Sequence, residues 1–151
     1  MNGLSKISDK VIKDEYKRRF RLKDGDFIHS SKDAVEHLET YLSDSKDRES
    51  FIVIFLNGRN QIISSEVLFE GTLTTSVVYP REIVKRALEL GAAAIIAAHN
   101  HPSGNPNPSK DDRTITKKMV NACSVIDVPL HDHLIILPGG EFTSFADLGL
   151  L

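Results

Sequence analysis

Two histidines separated by one residue, His99 and His101, follow an apolar run in this 151-residue chain. Side chains two apart on an extended backbone project to the same side. If the strand geometry persists past Ala98, both imidazoles converge on one point. Imidazole nitrogen is a zinc ligand at about 2.0–2.1 Å, but two ligands do not make a site. Asp112, eleven residues beyond His101, is the leading candidate for a third. The loop HNHPSGNPNPS (99–109) reverses the chain and places Asp112 in the first turn of the next helix, where the helix dipole favours a carboxylate. Ser109-x-x-Asp112 also fits a capping pattern, so a purely structural account of Asp112 stands beside the metal account. Two histidines and one carboxylate leave a fourth position for water, as in a catalytic zinc site. Zinc lowers the pKa of that water toward ~7, and a general base must then lie within hydrogen-bond reach. Glu49, Glu66, Glu70, Glu82 and Glu89 are the candidates, and spacing does not choose among them.

The elements that must position these residues can be read from periodicity. Ser30 or Ser31 caps a helix to about Leu42, with Ala34, Val35, Leu38 and Leu42 on one stripe. FIVIFLN (51–57) is β-branched and aromatic, hence a strand. Asn57-Gly58 turns the chain into a second strand, QIISSEVLF (61–69). Pro80 opens a helix carrying Ile83, Val84, Ala87 and Leu88 on one face, and Gly91 ends it. AAAIIAA (92–98) is continuous and apolar, so it reads as a strand buried on both faces. A helix from Ser109 to about Ser124 follows, then the strand HDHLIIL (131–137), a turn at Pro138-Gly139-Gly140, and EFTSF closing the sheet. The expected fold is α/β (α+β), with about five strands in a mixed sheet flanked by helices. Residues 1–28 read as a basic arm or short helix packed by Val11, Ile12, Tyr16 and Phe20 and ending near Gly25.

Composition narrows the function classes. Hydrophobic residues make up 40% and charged residues 26%, which excludes disorder. The net charge of −2 gives no global attraction to nucleic acid or anionic lipid. Lys17, Arg18, Arg19, Arg21 and Lys23 form a basic stretch, but acidic residues flank it, which leaves DNA as a weakly supported partner. One cysteine, Cys123, excludes a disulfide framework, and its apolar surroundings make it a small buried hydrophobe. No run approaches the ~18 apolar residues of a membrane span, and no secretory h-region is visible, so the expected compartment is the cytoplasm. The hairpin edge and the N-terminal helix are open to a homo-oligomer contact.

HNHPSGNPNPSKDD (99–112) resembles the JAMM signature of the MPN/JAB superfamily, His-x-His, seven residues, Ser-x-x-Asp. With EGT (70–72), PREI (80–83), DHLI (132–135) and the ending from Ser144 to Leu151, the chain resembles the RadC family of bacterial JAB-domain proteins. That resemblance implies a single cytidine-deaminase-like domain over residues 29–151, with 1–28 as the arm. It implies Zn2+ on His99, His101 and Asp112, Ser109 stabilising the oxyanion, and Glu49, before the first core strand, as general base. The activity implied is metal-assisted hydrolysis of a peptide or protein amide bond, as in a metallopeptidase or isopeptidase. Longer relatives carry a helix-hairpin-helix-like region before the JAB domain. With 48 residues preceding Glu49, a short form is expected, and a DNA-repair accessory role is the alternative function. A non-catalytic scaffold is a further alternative, disfavoured by the intact ligand set. Asp132 and His133 are expected to support the site or the fold, and the His131–His133 pair is not expected to hold a second metal.

Overall fold

A computed structural model describes residues 7–20, 22–42, 48–71 and 78–151, without the side chains of Lys17 and Phe20. Five strands form one sheet in the order β2-β1-β3-β4-β5. They are β1 (Glu49–Leu56), β2 (Ile62–Gly71), β3 (Ala94–Asn100), β4 (Leu130–Ile136) and β5 (Phe142–Ser144). β3 and β4 run parallel, joined through a helix, while the β1–β2, β1–β3 and β4–β5 pairs are antiparallel. This mixed sheet with helices on both faces is the expected α+β architecture.

Strand alternation divides the core in two. Phe51, Val53 and Phe55 of β1 join Ile95 and Ala97 of β3 beneath α3 (Pro80–Leu90) and α4 (Lys110–Val125). Ile52, Ile54 and Leu56 join Ala94, Ile96 and Ala98 beneath α2 (Ser31–Leu38) on the other face. β1 and β3 therefore lack polar alternation because both of their faces are covered. The alanines of β3 leave room for helices on each side.

Most local signals act as read. The Ser30 hydroxyl accepts from Asp33 N and caps α2, which passes into a 3-10 turn (Glu39–Tyr41). Pro80 starts α3, and Gly91, at φ 63°, ends it in the left-handed region that favours glycine. β3 begins two residues later than expected because Ala92 N still bonds back to Ala87 O across the helix end. It continues through His99 to Asn100.

The N-terminal helix α1 (Asp9–Phe20) departs from the reading in two ways. It ends at Phe20 rather than near Gly25, and Val11, Ile12 and Tyr16 are exposed. Glu15 pairs with both Arg18 and Arg19, which holds the Glu15 carboxyl near pKa 2 and neutralises part of the basic stretch. Arg21, residues 43–47 and Thr72 of EGT lie outside the described residues, as do the Lys17 and Phe20 side chains.

Candidate metal centre

The site forms where β3 leaves the sheet. His99 continues the Ile95–Ala97 face of β3 and is fully buried beside the Phe51 ring. His101 lies just past the strand end, its backbone N–H bonded to Ile136 O at 2.9 Å. The loop turns back through Gly104, and Thr143 of β5 tethers it by donating to Pro106 O at 2.7 Å. α4 then begins with a capping box. The Ser109 hydroxyl accepts from Asp112 N at 3.0 Å, and Ser109 N donates to Asp112 Oδ2 at 2.8 Å. The capping account of Ser109 and Asp112 is thus realised, and it also aims the carboxylate at the histidines.

His99 Nε2 lies 3.1 Å from Asp112 Oδ1, and His101 Nε2 lies 3.1 Å from Asp112 Oδ2. The two Nε2 atoms are 3.0 Å apart. One ligand atom from each residue falls within 4.8 Å of the others, so this group could hold a metal ion, the one such group among the described residues. The donor set fits a cation. His101 Nδ1 faces the Asn105 carbonyl at 2.8 Å, and a carbonyl only accepts, so the proton resides on Nδ1. In the neutral ring Nε2 then presents a lone pair toward Asp112. Lone pairs and a carboxylate so close repel unless a proton or a cation lies among them.

The titration shifts agree. The Asp112 hydrogen bond is the main reason His101 is pushed above its ordinary value of 6.5, with Glu49 adding a smaller coulombic contribution. Burial works to raise the Asp112 pKa, but the adjoining His101 and His99 rings outweigh it and hold the carboxyl far below the carboxylate range.

The five candidate bases separate once the register is known. Phe51 pairs with His99, so Glu49, two residues back on β1, shares that face and lies toward His101. Asn100 fixes its neighbours, accepting from Ser50 N at 2.7 Å and donating to Arg48 O at 2.9 Å. Glu70 pairs with Ser50, on the opposite face. Glu66 and Glu89 both bond Arg86, and Glu82 is an exposed residue beside Arg81.

Behind His99 stands His133, fully buried between the rings of Phe51 and Phe145. Burial holds its pKa well below the ordinary value, so the ring is neutral. Its Nε2 is 2.8 Å from His99 Nδ1, and its Nδ1 reaches the Thr116 hydroxyl. Asp132 anchors the strand from the other face, accepting from His133 N, Ser144 Oγ and Ala146 N. His131 is exposed and takes no part in the cluster. Cys123, on the inner face of α4, is buried, as expected. The sequence reading missed Asn100 and Thr116. The signal for Thr116 was its position one turn beyond Asp112 on α4, since residues four apart share a helix face.

Fold and site together define an α/β domain with a His-x-His and Asp cluster at the mouth of a parallel strand pair, a class suited to metal-assisted chemistry. Residues 28–150 match the model of the RadC-like JAB domain. The chain belongs to that family. It is 46% identical over 128 residues to the UPF0758 protein VP0184 of Vibrio parahaemolyticus, covering 85% of this chain and 56% of the relative. It is 50% identical over 105 residues to the UPF0758 protein YfjY of Escherichia coli, covering 70% of this chain and 65% of the relative. The protein PBPRA0202 of Photobacterium profundum is 45% identical over 86% of this chain and 57% of its own length. The chain thus spans little more than half the length of most of the curated relatives it matches. No helix among the described residues is long and apolar enough to cross a membrane.

Proposed function

We propose that this domain is a zinc-dependent hydrolase of peptide or isopeptide bonds. The observation that carries the reading is the convergence of His99 Nε2, His101 Nε2 and the Asp112 carboxylate, on the sheet face that Glu49 shares. A zinc ion held by His99, His101 and Asp112 would polarise the scissile carbonyl and acidify a water toward a pKa of ~7. Glu49 takes the proton of the attacking water and returns it to the amine as the C–N bond breaks. The Ser109 hydroxyl accepts from Asp112 N and so retains its own proton, which it donates to the developing oxyanion. Capping and catalysis by Ser109 are therefore compatible.

The test combines metal content by mass spectrometry with cleavage of a panel of peptide and isopeptide-linked substrates. Wild type and Glu49→Gln are expected to hold about one zinc per chain, and Asp112→Ala to lose it. Glu49→Gln is expected to lower the cleavage rate by roughly 10²–10⁴, the share of a general base. Wild-type protein that takes up no zinc after reconstitution overturns the hydrolase reading in favour of a scaffold. Zinc uptake without cleavage of any amide overturns the peptidase assignment. The DNA-associated alternative predicts binding by this domain that weakens steeply with salt, and the pairing of Arg18 and Arg19 with Glu15 counts against it.

A further inference from the structure

The contact behind His99 carries information about protons. The Thr116 hydroxyl lies 2.7 Å from the Asp112 carbonyl oxygen. A carbonyl has no proton to give, so at this distance the single hydroxyl proton must lie between the two oxygens. Thr116 Oγ1 then has only lone pairs for its other neighbour, His133 Nδ1. That nitrogen must be the donor. His133 is enclosed, with no carboxylate bonded to its ring, and a neutral imidazole protonated at Nδ1 has a bare Nε2. Its neighbour at 2.8 Å, His99 Nδ1, must therefore carry a proton. Neutral His99 is left with a lone pair on Nε2, the atom aimed at Asp112 and His101.

We infer that Thr116 and His133 form a positioning relay that fixes the tautomer of His99, with the Asp112 carbonyl as its terminus. The order of donors runs one way, from His99 through His133 and Thr116 to a main-chain oxygen. Reversing any link would bring two donors or two acceptors face to face. Asp112 thereby serves the cluster twice, with its carboxylate beside both Nε2 atoms and its carbonyl fixing, through two side chains, which nitrogen of His99 is bare. Outer partners of this kind typically govern metal affinity by about 10–100-fold when removed. The inference rests on the metal reading above for its purpose, but not for its geometry, which exists in the metal-free protein.

Thr116→Val keeps the shape and removes the hydroxyl. It leaves His133 Nδ1 without an acceptor and frees the ring to adopt the other tautomer, which in turn drives a proton onto His99 Nε2. Thr116→Ser restores the relay. His133→Phe keeps the ring contacts with Phe51 and Phe145 while removing the acceptor, and serves if Thr116→Val fails to fold. Long-range 1H–15N spectra of the metal-free proteins report the tautomer directly, and zinc titration against a chelator reports affinity. We expect His99 protonated at Nδ1 in wild type and Thr116→Ser. In Thr116→Val and His133→Phe we expect a shifted or mixed tautomer, with zinc binding weakened by roughly 10–100-fold. Wild-type His99 protonated at Nε2, or a folded Thr116→Val with unchanged tautomer and affinity, overturns the relay. Absence of zinc binding in wild type would overturn the metal reading instead, and the spectra would still decide the relay.

Discussion

Asp132 offers a test of how the site is held. Its Oδ1 accepts from His133 N at 2.8 Å and from Ala146 N at 3.0 Å, and its Oδ2 accepts from Ser144 Oγ at 2.6 Å. Asp132→Ala leaves all three donors, and Ser31 Oγ at 3.5 Å, without this acceptor. Ala146 is exposed and its N–H can turn to water, so its loss is small. His133 and Ser144 are buried, and each stranded group costs about 1–3 kcal/mol. The variant should lose about 2–5 kcal/mol, a large part of the 5–15 kcal/mol typical of a domain. Asp132→Asn keeps Oδ1 for both backbone donors and turns an amide toward the serine, so it should cost about 1 kcal/mol. Urea unfolding at neutral pH with unchanged m measures both. The order Ala much worse than Asn is the diagnostic. Asp132→Ala within about 0.5 kcal/mol of wild type, the range of ordinary surface changes, would refute the reasoning. Equal damage from the two variants would show that charge, not acceptor placement, is what β4 needs.

Three further outcomes follow from the geometry. The raised pKa of His101 gives the metal-free fold stability that is complete below pH 6.5 and lost as pH rises through the raised value. The lowered pKa of Asp112 gives stability that is complete above its ordinary 3.8 and lost as pH falls toward the depressed value. Thermal melts of metal-free protein should therefore decline from pH 6 to pH 9, and saturating zinc should abolish that decline by replacing the proton; a flat metal-free profile would contradict the shift. Asn100→Ala should leave zinc content unchanged, speed amide exchange at Ser50, and lower turnover by up to about 100-fold through misplacement of Glu49. Met119→Ala, in the α4 core with no solvent exposure, should cost about 2–5 kcal/mol in the same urea assay.

The sequence was legible where local chemistry decides structure. Ser30, Pro80, Gly91 and Ser109 mark the helix ends as they stand, because capping and φ preference act within a few residues. The pairing of His99 and His101 was legible because alternation along β3 needs no knowledge of the partner strand. Which of the five carboxylates shares the face of His99 was not, because that depends on the antiparallel register that sets Phe51 beside His99. Asn100 shows the same limit, since its partners Arg48 and Ser50 lie about fifty residues away along the chain. For α1 the exposure of Val11 and Ile12 matches the solvated arm and not the packed helix, because an apolar stripe predicts a partner surface without showing that one is vacant. His133 could be suspected from its type, but its contact with His99 follows from the parallel β3–β4 register, in which it sits opposite Ala97.

The order of the residues along the chain has a consequence for biosynthesis. His99, His101, Asp112, Thr116 and His133 all belong to one strand–helix–strand passage, from β3 through α4 to β4. Glu49 arrives from outside it, by pairing of β1 with β3. Short loops close at lower entropic cost than long ones, so the histidine–aspartate cluster can assemble from within its own passage before Glu49 is docked. A chain between these two events holds His99, His101 and Asp112 together without Glu49 beside them.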